Sequence, residues 1–312
     1  MILLSYSIVH RELVGDAKTY LSVFNSEELL NYAIIEGKWG SGFLYLTKFF
    51  QILGSEYIYL MLFPCVLISS SIFMLKKIDE QINVITLFFL LTVSTVFVLY
   101  SITGFRQTIA ISLGIVSLGY LFTKSYVKYI LFIIVGATFH STLIIYLLAL
   151  IPILKELKYR YCALLYCISL VIGYLDLSSH SGFISEIVSS TLNSQRYEGY
   201  FSDYEGDYVV GLKVQFIAFS LLPIILLVFN SIFYGLKLNE TENRLVCFYI
   251  LINSACNVFS FIPFSDRIYA YSWFIIPLIM TLCYYRLSRS TRFFYFSILI
   301  ANFYYYNFEY FI

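Results

Sequence analysis

Two ionisable side chains, Arg106 and His140, lie within the apolar stretch from Tyr100 to Pro152. Ionisable groups are costly at membrane depth, so those that persist there usually serve a function. Arg106 follows Thr103-Gly104 at the predicted start of a helix, where backbone N–H groups without helical partners also attract anions. Because a guanidinium grips phosphate oxygens with a fork of donors, this position suits a diphosphate. The alternative is an arginine that extends its charge to the membrane surface.

His140 has mostly apolar neighbours on both sides. An imidazole in such a place could act as a general base or orient a substrate hydroxyl near neutral pH. The plainer interpretation is a histidine at a helix break that bonds to the backbone. Ser141 follows it directly, but no third partner for a catalytic triad is visible nearby in the sequence.

Other candidates are charged residues outside the longest apolar runs. Arg267 lies between two predicted spans, Arg196-Tyr197 lie in a long polar segment, and Arg11 and Asp16 lie near the amino terminus. Each also has a plainer interpretation. Arg267 could belong to a solvated turn and Arg196-Tyr197 to a solvated loop, and Arg11 and Asp16 could be charges where the chain leaves the membrane. The set is more informative than its members, because all of them are predicted on the face that is poorest in basic residues.

Composition identifies the environment of these residues. Of 312 residues, 60% are hydrophobic and 12% are charged, and the mean hydropathy is +0.81. Runs such as Val84–Ile102 and Val214–Tyr234 approach or exceed the ~18–20 apolar residues that cross a bilayer. The sequence therefore predicts an all-α, polytopic helical membrane bundle of about 9–11 membrane segments. No basic tract predicts nucleic-acid binding, no Cys/His spacing predicts a metal site, and no nucleotide or other cofactor motif is present.

We predict one integral membrane domain over residues 1–312. Residues 10–56 form an outer segment with an amphipathic interfacial helix from Gly42 to Leu53, and 177–213 form the large outer loop. Residues 127–154 are too long for one crossing and too short for two, so they are predicted as a re-entrant or kinked pair broken near His140. The other predicted spans are 57–75, 83–102, 104–123, 161–176, 214–236, 245–263, 268–285 and 293–312.

The re-entrant pair decides the predicted orientation. With it, most of the basic residues in short loops share one face, which is cytoplasmic by the positive-inside rule. A single crossing at 127–154 would invert the later loops and break that rule. The basic residues on the predicted cytoplasmic face are Lys76, Lys77, Lys124, Lys128, Lys155, Lys158, Arg160, Lys237, Arg244, Arg286, Arg289 and Arg292.

Short motifs along almost the whole chain resemble those of EpsG-type and Wzy-type polysaccharide polymerases. The matching stretches are Arg11…Gly15-Asp16…Tyr20, Gly104-Phe105-Arg106-Gln107…Ala110, Ala137-Thr138-Phe139-His140-Ser141, Arg196-Tyr197 and Arg267-Ile268-Tyr269.

The resemblance implies an enzyme of the bacterial inner membrane whose outer, active face is periplasmic. Such proteins resemble metal-independent, lipid-phosphosugar-dependent (C-type) glycosyltransferases. They transfer a growing glycan, O-antigen or capsule/exopolysaccharide, to a new repeat unit on undecaprenyl diphosphate. The implied partners are that lipid-linked oligosaccharide, the lipid bilayer, and a chain-length regulator and flippase of the same pathway.

The resemblance also implies roles for the matching residues. His140 and Asp16 are the catalytic candidates, with the choice of base left open. The substrate-binding candidates are Arg106, Gln107, Arg267, Arg11, Arg196, Tyr197 and Tyr269.

Two other functions fit the same features. A flippase or transporter of polysaccharide units also uses intramembrane arginine and histidine and a broken helix, but paired Gly/Pro-broken segments in two halves are not visible. A membrane acyltransferase acting through His140 is the second alternative.

Overall fold

The computed structural model describes residues 15–154, 157–175, 211–262 and 265–311, and every regular element in these ranges is helical. The all-α prediction is therefore confirmed. The first helices are α1 (Asp16–Phe24), α2 (Glu27–Ile35), α3 (Ser41–Leu53), α4 (Glu56–Ile78), α5 (Val84–Thr92), α6 (Thr95–Ile102), α7 (Phe105–Phe122) and α8 (Tyr126–Ala137). A 3₁₀ helix (Ser141–Ala149) then precedes α9 (Leu150–Leu154), α10 (Tyr159–Tyr174), α11 (Val214–Tyr234), α12 (Glu240–Val258), α13 (Asp266–Trp273), α14 (Ile276–Cys283) and α15 (Arg289–Phe311).

Several of these helices are long and apolar enough to cross a membrane. There are four in the described ranges, or five if the bent pair α5–α6 is counted as one span. The chain is therefore a multi-pass helical membrane protein. Other predicted segments correspond to shorter apolar helices such as α8 and α10. The four long segments are Glu56–Ile78, Phe105–Phe122, Val214–Tyr234 and Asp266–Arg286, the last of which comprises α13, α14 and a 3₁₀ turn at Tyr284–Arg286.

The predicted span 83–102 is the pair α5–α6, bent by 70°. Its break lies at Val93-Ser94, where Ser94 adopts an extended backbone conformation. The Thr92 hydroxyl donates to the carbonyl of Phe89, 3.1 Å away, inside the last turn of α5. Hydroxyl side chains that bond to backbone carbonyls often accompany bends in helices, and the bend here lies in a run that is uniform in hydropathy.

The described chain forms two compact units: one of residues up to Leu147 and from Pro277 onward, and one of Leu148–Ile276. In the first unit, α7 packs against both α4 and α8. Small residues make these approaches possible. A methyl group added at Gly119 of α7 would lie 3.2 Å from the Cα atom of Met74 in α4, and one added at Gly136 of α8 would lie 3.3 Å from Cβ of Leu113 in α7.

The helix break near His140 is confirmed. Helix α8 ends at Ala137, and the backbone N–H of His140 donates to the carbonyl of Gly136 at 3.1 Å. The chain then continues as a nine-residue 3₁₀ helix, which is longer than usual and typical of a constrained segment. The Tyr129 hydroxyl donates to the carbonyl of Tyr146 at 2.6 Å and ties this helix back onto α8. That 127–154 returns to its starting face stays a prediction.

The predicted outer segment 10–56 contains three short helices in its described part. Ser26 caps α2 by accepting from the backbone N–H of Leu29. The helix predicted from Gly42 to Leu53 is α3, and its buried residues include Phe43 and Phe50. These side chains join an aromatic cluster with residues of α1, α4 and α7. That α3 lies at the membrane interface stays a prediction, as does the single-domain organisation.

The second unit is held together by buried polar groups. Asn257 on α12 accepts from the Tyr269 hydroxyl at 2.6 Å and donates to the Ser169 hydroxyl at 3.0 Å. Asn257, Tyr269 and Ser169 are almost completely buried. Helix α10 approaches closely beside them, since a methyl group at Gly173 would lie 2.5 Å from the Asn257 carbonyl oxygen. Paired polar groups of this kind fix the register of packed apolar helices.

Candidate functional site

The site begins with Arg106 in the first turn of α7. Its Nε–H donates to the Tyr20 hydroxyl of α1 at 2.8 Å, and its guanidinium carbon lies 5.5 Å from the centroid of the Tyr20 ring. The side chain is half-buried. Among the described residues, the hydrogen bond to Tyr20 is made by Nε and not by the two Nη groups. One edge of the guanidinium is therefore held by the protein, while the other carries donors suited to an anionic ligand.

Helix α7 positions Arg106 because its first turn is anchored on both sides. Phe105 stacks on Phe63 of α4, with ring centroids 4.1 Å apart. The Thr108 hydroxyl donates to the carbonyl of Tyr100 at 2.7 Å. Gly104 caps the helix without a side-chain hydrogen bond, which leaves the amino-terminal backbone N–H groups and their partial positive charge beside Arg106.

Trp39 forms the second aromatic wall around Arg106. Its ring centroid lies 6.0 Å from the guanidinium carbon and 5.2 Å from the Tyr20 ring, which it meets edge to face. The Lys38 ammonium lies 6.0 Å from the same Trp39 ring. Cation–π contacts of this length stabilise a partly desolvated cation. Two cations therefore share one indole: Arg106 on α7, and Lys38 in the segment between α2 and α3.

Directly after Trp39, the start of α3 docks on the chain that precedes His140. The backbone N–H of Gly42 donates to the carbonyl of Thr138 at 3.1 Å. A methyl group at Gly40 would overlap the Thr138 carbonyl oxygen and lie 2.8 Å from the Phe139 carbonyl oxygen. Phe139 itself packs against the aromatic cluster that contains Tyr20. The structure thus brings the Arg106 surroundings and the His140 segment together through Trp39-Gly40-Ser41-Gly42.

His140 is held at the break between α8 and the 3₁₀ helix. Its Nδ1 lies 2.6 Å from the Thr142 hydroxyl oxygen, and the ring is half-buried. A partner on one ring nitrogen fixes the ring's orientation and biases its tautomer. A half-buried imidazole of fixed orientation is suited to bind or deprotonate a hydroxyl group.

Asp16 and Gln107 lie on the elements that carry Tyr20 and Arg106. Asp16 begins α1 one turn before Tyr20, so the two side chains share a helix face, and its carboxylate suits the positive end of the helix. Gln107 follows Arg106 and is almost fully buried. Asp16 thus remains a candidate for the site, whereas the burial of Gln107 fits packing within α7 better than direct substrate contact.

The other predicted site residues lie elsewhere. Arg267 and Tyr269 belong to α13 in the second unit, where Arg267 is half-buried and Tyr269 is bonded to Asn257. Tyr269 therefore holds its own helix bundle together, and substrate binding by Arg267 stays a prediction. Arg11, Arg196 and Tyr197 lie outside the described residues, as does most of the predicted loop 177–213.

Sequence reasoning missed four contributors: Trp39, Lys38, Gly40 and Thr142. Trp39 is one of only two tryptophans, but an aromatic residue does not stand out in a sequence with 20% aromatic residues. Two glycines that flank one residue, as in Gly40-Ser41-Gly42, are a signal for close backbone approach that could have been used.

The arrangement combines a held cation, a helix amino terminus and a fixed imidazole. The first two favour a phosphate-bearing group, and the third suits proton transfer to or from a hydroxyl. No group of three or more His, Cys, Asp or Glu side chains with metal-binding geometry occurs within the described ranges. These features define a multi-pass helical membrane protein with a cationic site beside a helix break.

The entire chain, residues 1–312, matches the EpsG family, and the protein belongs to that family. The resemblance to EpsG-type proteins is therefore confirmed, and membership supports a role in polysaccharide biosynthesis. No curated protein matches the chain, and no solved structure matches it either.

Proposed function

We propose that the protein polymerises oligosaccharide repeat units carried on undecaprenyl diphosphate, at the periplasmic face of the bacterial inner membrane. Two observations support the proposal: the match to the EpsG family over the whole chain, and the Arg106 site beside the His140 break. The geometry of Arg106 is the main support, because a lipid diphosphate leaving group needs positive charge as its bond to the sugar breaks.

The proposed reaction is metal-independent glycosyl transfer. The acceptor hydroxyl oxygen of a new lipid-linked unit forms a bond to C1 of the growing glycan, while the bond from C1 to the diphosphate oxygen breaks. Undecaprenyl diphosphate leaves with the electron pair and is stabilised by Arg106 and the amino terminus of α7. Lys38, whose ammonium lies 6.0 Å from the centroid of the Trp39 ring, supplies a second nearby charge. The acceptor proton passes to His140 or Asp16.

The test of the function uses the full chain in sealed vesicles with a radiolabelled lipid-linked repeat unit. We expect long glycan chains to form on the lipid and free undecaprenyl diphosphate to appear in step with each transfer. Labelled units that cross the bilayer without lengthening would instead identify a flippase. Dependence of the product on an acyl donor would identify an acyltransferase, and either result would overturn the polymerase assignment.

His140→Gln and Asp16→Asn distinguish the two candidate bases. Loss of a general base lowers the rate by about 10²- to 10⁴-fold, whereas loss of a residue that only orients the acceptor costs less. We expect the larger loss of polymerisation rate in His140→Gln, because Thr142 fixes that ring. Equal rates for His140→Gln and the unmodified protein would exclude His140 from the reaction.

Thr142→Val provides the matched control for His140, since it removes the hydroxyl while it keeps the side-chain volume. It should lower the rate by about two- to tenfold in the otherwise unmodified protein, the size of one lost hydrogen bond. In the His140→Gln background it should have no further effect, because the group it positions is gone.

A further inference from the structure

A cavity of about 510 Å³ lies within the second unit, where α11 ends and α10 and α12 begin. Its lining divides into two parts. Lys158 and Lys237, together with Asn239 and Asn243, provide polar groups, and Ile224, Leu227, Val228 and Val246 provide an apolar wall. Nothing in the proposed polymerase mechanism uses these residues.

Lys158 is held at the cavity by Asn243 of α12. The Asn243 side-chain amide donates to the carbonyl of Leu157 at 2.8 Å, and its oxygen accepts from the backbone N–H of Tyr159 at 3.3 Å. Both backbone neighbours of Lys158 are therefore bonded to one side chain. Because the backbone is fixed, the lysine loses less conformational freedom when it contacts a ligand.

Lys237 is presented by the turn between α11 and α12. Gly235 ends α11 with a left-handed backbone (φ 67°), and the N–H of Leu236 donates to the carbonyl of Asn230 at 3.1 Å. The turn then closes on the capping box of α12, in which Asn239 and Glu242 exchange side-chain and backbone hydrogen bonds. Both lysine side chains are exposed at the lining of the cavity.

The charge of the cavity lining is positive. Its one carboxylate, among the lining residues, is Glu240, and this group is ion-paired with Arg244 one turn further along α12. The other charged residues of the lining are the exposed lysines Lys158 and Lys237. A dianionic or monoanionic headgroup would therefore be attracted, whereas a cation would not.

The apolar wall continues onto the surface of α11. This helix is among the four candidate spans, and only 28% of its most apolar window is buried within the protein. Ile225, Phe229 and Ile232 are exposed next to the cavity-lining residues Leu227 and Val228. A ligand that carries an anionic head and an apolar chain would satisfy both parts of the cavity at once.

We propose that this cavity binds an anionic phospholipid, with its phosphate between Lys158 and Lys237 and an acyl chain along α11. The distribution of basic residues predicts this end of the unit as cytoplasmic, where anionic lipids meet juxtamembrane lysines. The site is separate from the Arg106 site in residues and in ligand, so it does not depend on the polymerase assignment.

The experiment measures lipids retained by the full-length protein, purified in detergent, by native mass spectrometry. Dioleoyl phosphatidylglycerol is the probe, and dioleoyl phosphatidylcholine is the zwitterionic comparison. We expect the unmodified protein to prefer phosphatidylglycerol, and each of Lys158→Gln and Lys237→Gln to weaken its binding by about fivefold, since a basic residue near an anionic lipid contributes about that factor. Binding of phosphatidylcholine should not change.

Lys76→Gln with Lys124→Gln is the matched control, because it removes two exposed basic groups from helix ends of the first unit. It should leave phosphatidylglycerol binding unchanged. Asn243→Ala should weaken binding without a change in charge. Equal binding by the Lys158/Lys237 double variant and the unmodified protein would overturn the proposal. Full competition by millimolar glycerol phosphate would overturn the lipid assignment, since a headgroup alone would then suffice.

Discussion

Arg106→Gln is expected to lower the rate of glycan polymerisation by about 10²- to 10³-fold, the usual cost of removing one donor that stabilises developing charge. The expected loss lies in the transfer step, because the guanidinium acts on the diphosphate as its bond to the sugar breaks. The measurement is the rate of chain elongation on radiolabelled lipid-linked units at saturating substrate. Arg106→Lys should recover part of the rate, since it restores the charge without the planar fork of donors.

Tyr20→Phe separates the charge of Arg106 from its placement. The variant keeps the ring under the guanidinium and removes the acceptor of the 2.8 Å hydrogen bond from Nε. We expect a loss of about 10- to 10²-fold, because hydrogen bonds to charged groups contribute ~1.5–3 kcal/mol. The loss should be small in the Arg106→Gln background, where the donor is already gone.

Arg292→Gln is the matched control for Arg106. Arg292 is also half-buried, and its guanidinium carbon lies 5.3 Å from the ring of Tyr284, yet it belongs to α15 rather than to the cluster around Tyr20. Its substitution should leave the elongation rate within about twofold of the unmodified protein, as for changes outside special sites. Similar losses in Arg292→Gln and Arg106→Gln would mean that Arg106 matters only for folding.

Some features of the molecule can be predicted from the pattern of its sequence. Arg106 and His140 stand out because ionisable groups contrast with an apolar background, and the structure places both at constrained positions, a helix start and a helix break. The helical class follows equally directly from the apolar runs. Each of these features depends on residues close together in the chain, which is why the sequence suffices.

The contacts that join these residues depend on distant parts of the chain. Tyr20 meets Arg106 across 86 positions, and the start of α3 meets Thr138 across a similar distance. An aromatic residue has many potential partners in a chain with 30 tyrosines and 30 phenylalanines, so the pairing of Trp39 with Tyr20 has no local signature. The bend between α5 and α6 escapes detection for another reason, since hydropathy does not distinguish a straight span from a broken one.

The close approach at Gly40 gives a prediction that requires no functional group to be removed. Gly40→Ala adds a methyl group that overlaps the backbone oxygen of Thr138, and backbone cannot move aside as a side chain can. The start of α3 must therefore separate from the segment before His140. We expect loss of most polymerisation activity and a destabilisation of about 1–3 kcal/mol, the usual cost of overpacking, measured by thermal unfolding in detergent.

Gly42→Ala tests the same contact with a different obstacle. Here the added methyl group meets side chains, the Thr138 hydroxyl and the Phe139 ring, the latter at 2.9 Å. Thr138→Ala should therefore restore much of the activity of Gly42→Ala and none of that of Gly40→Ala. Ser41→Ala, at an exposed position between the two glycines, is the control and should behave as the unmodified protein. Full activity in Gly40→Ala would show that the docking of α3 beside Thr138 does not position the site.

This docking lies between the two parts of the site, because Trp39 directly precedes it and His140 directly follows Phe139. The Arg106 surroundings and the imidazole therefore keep their mutual placement only while that docking persists.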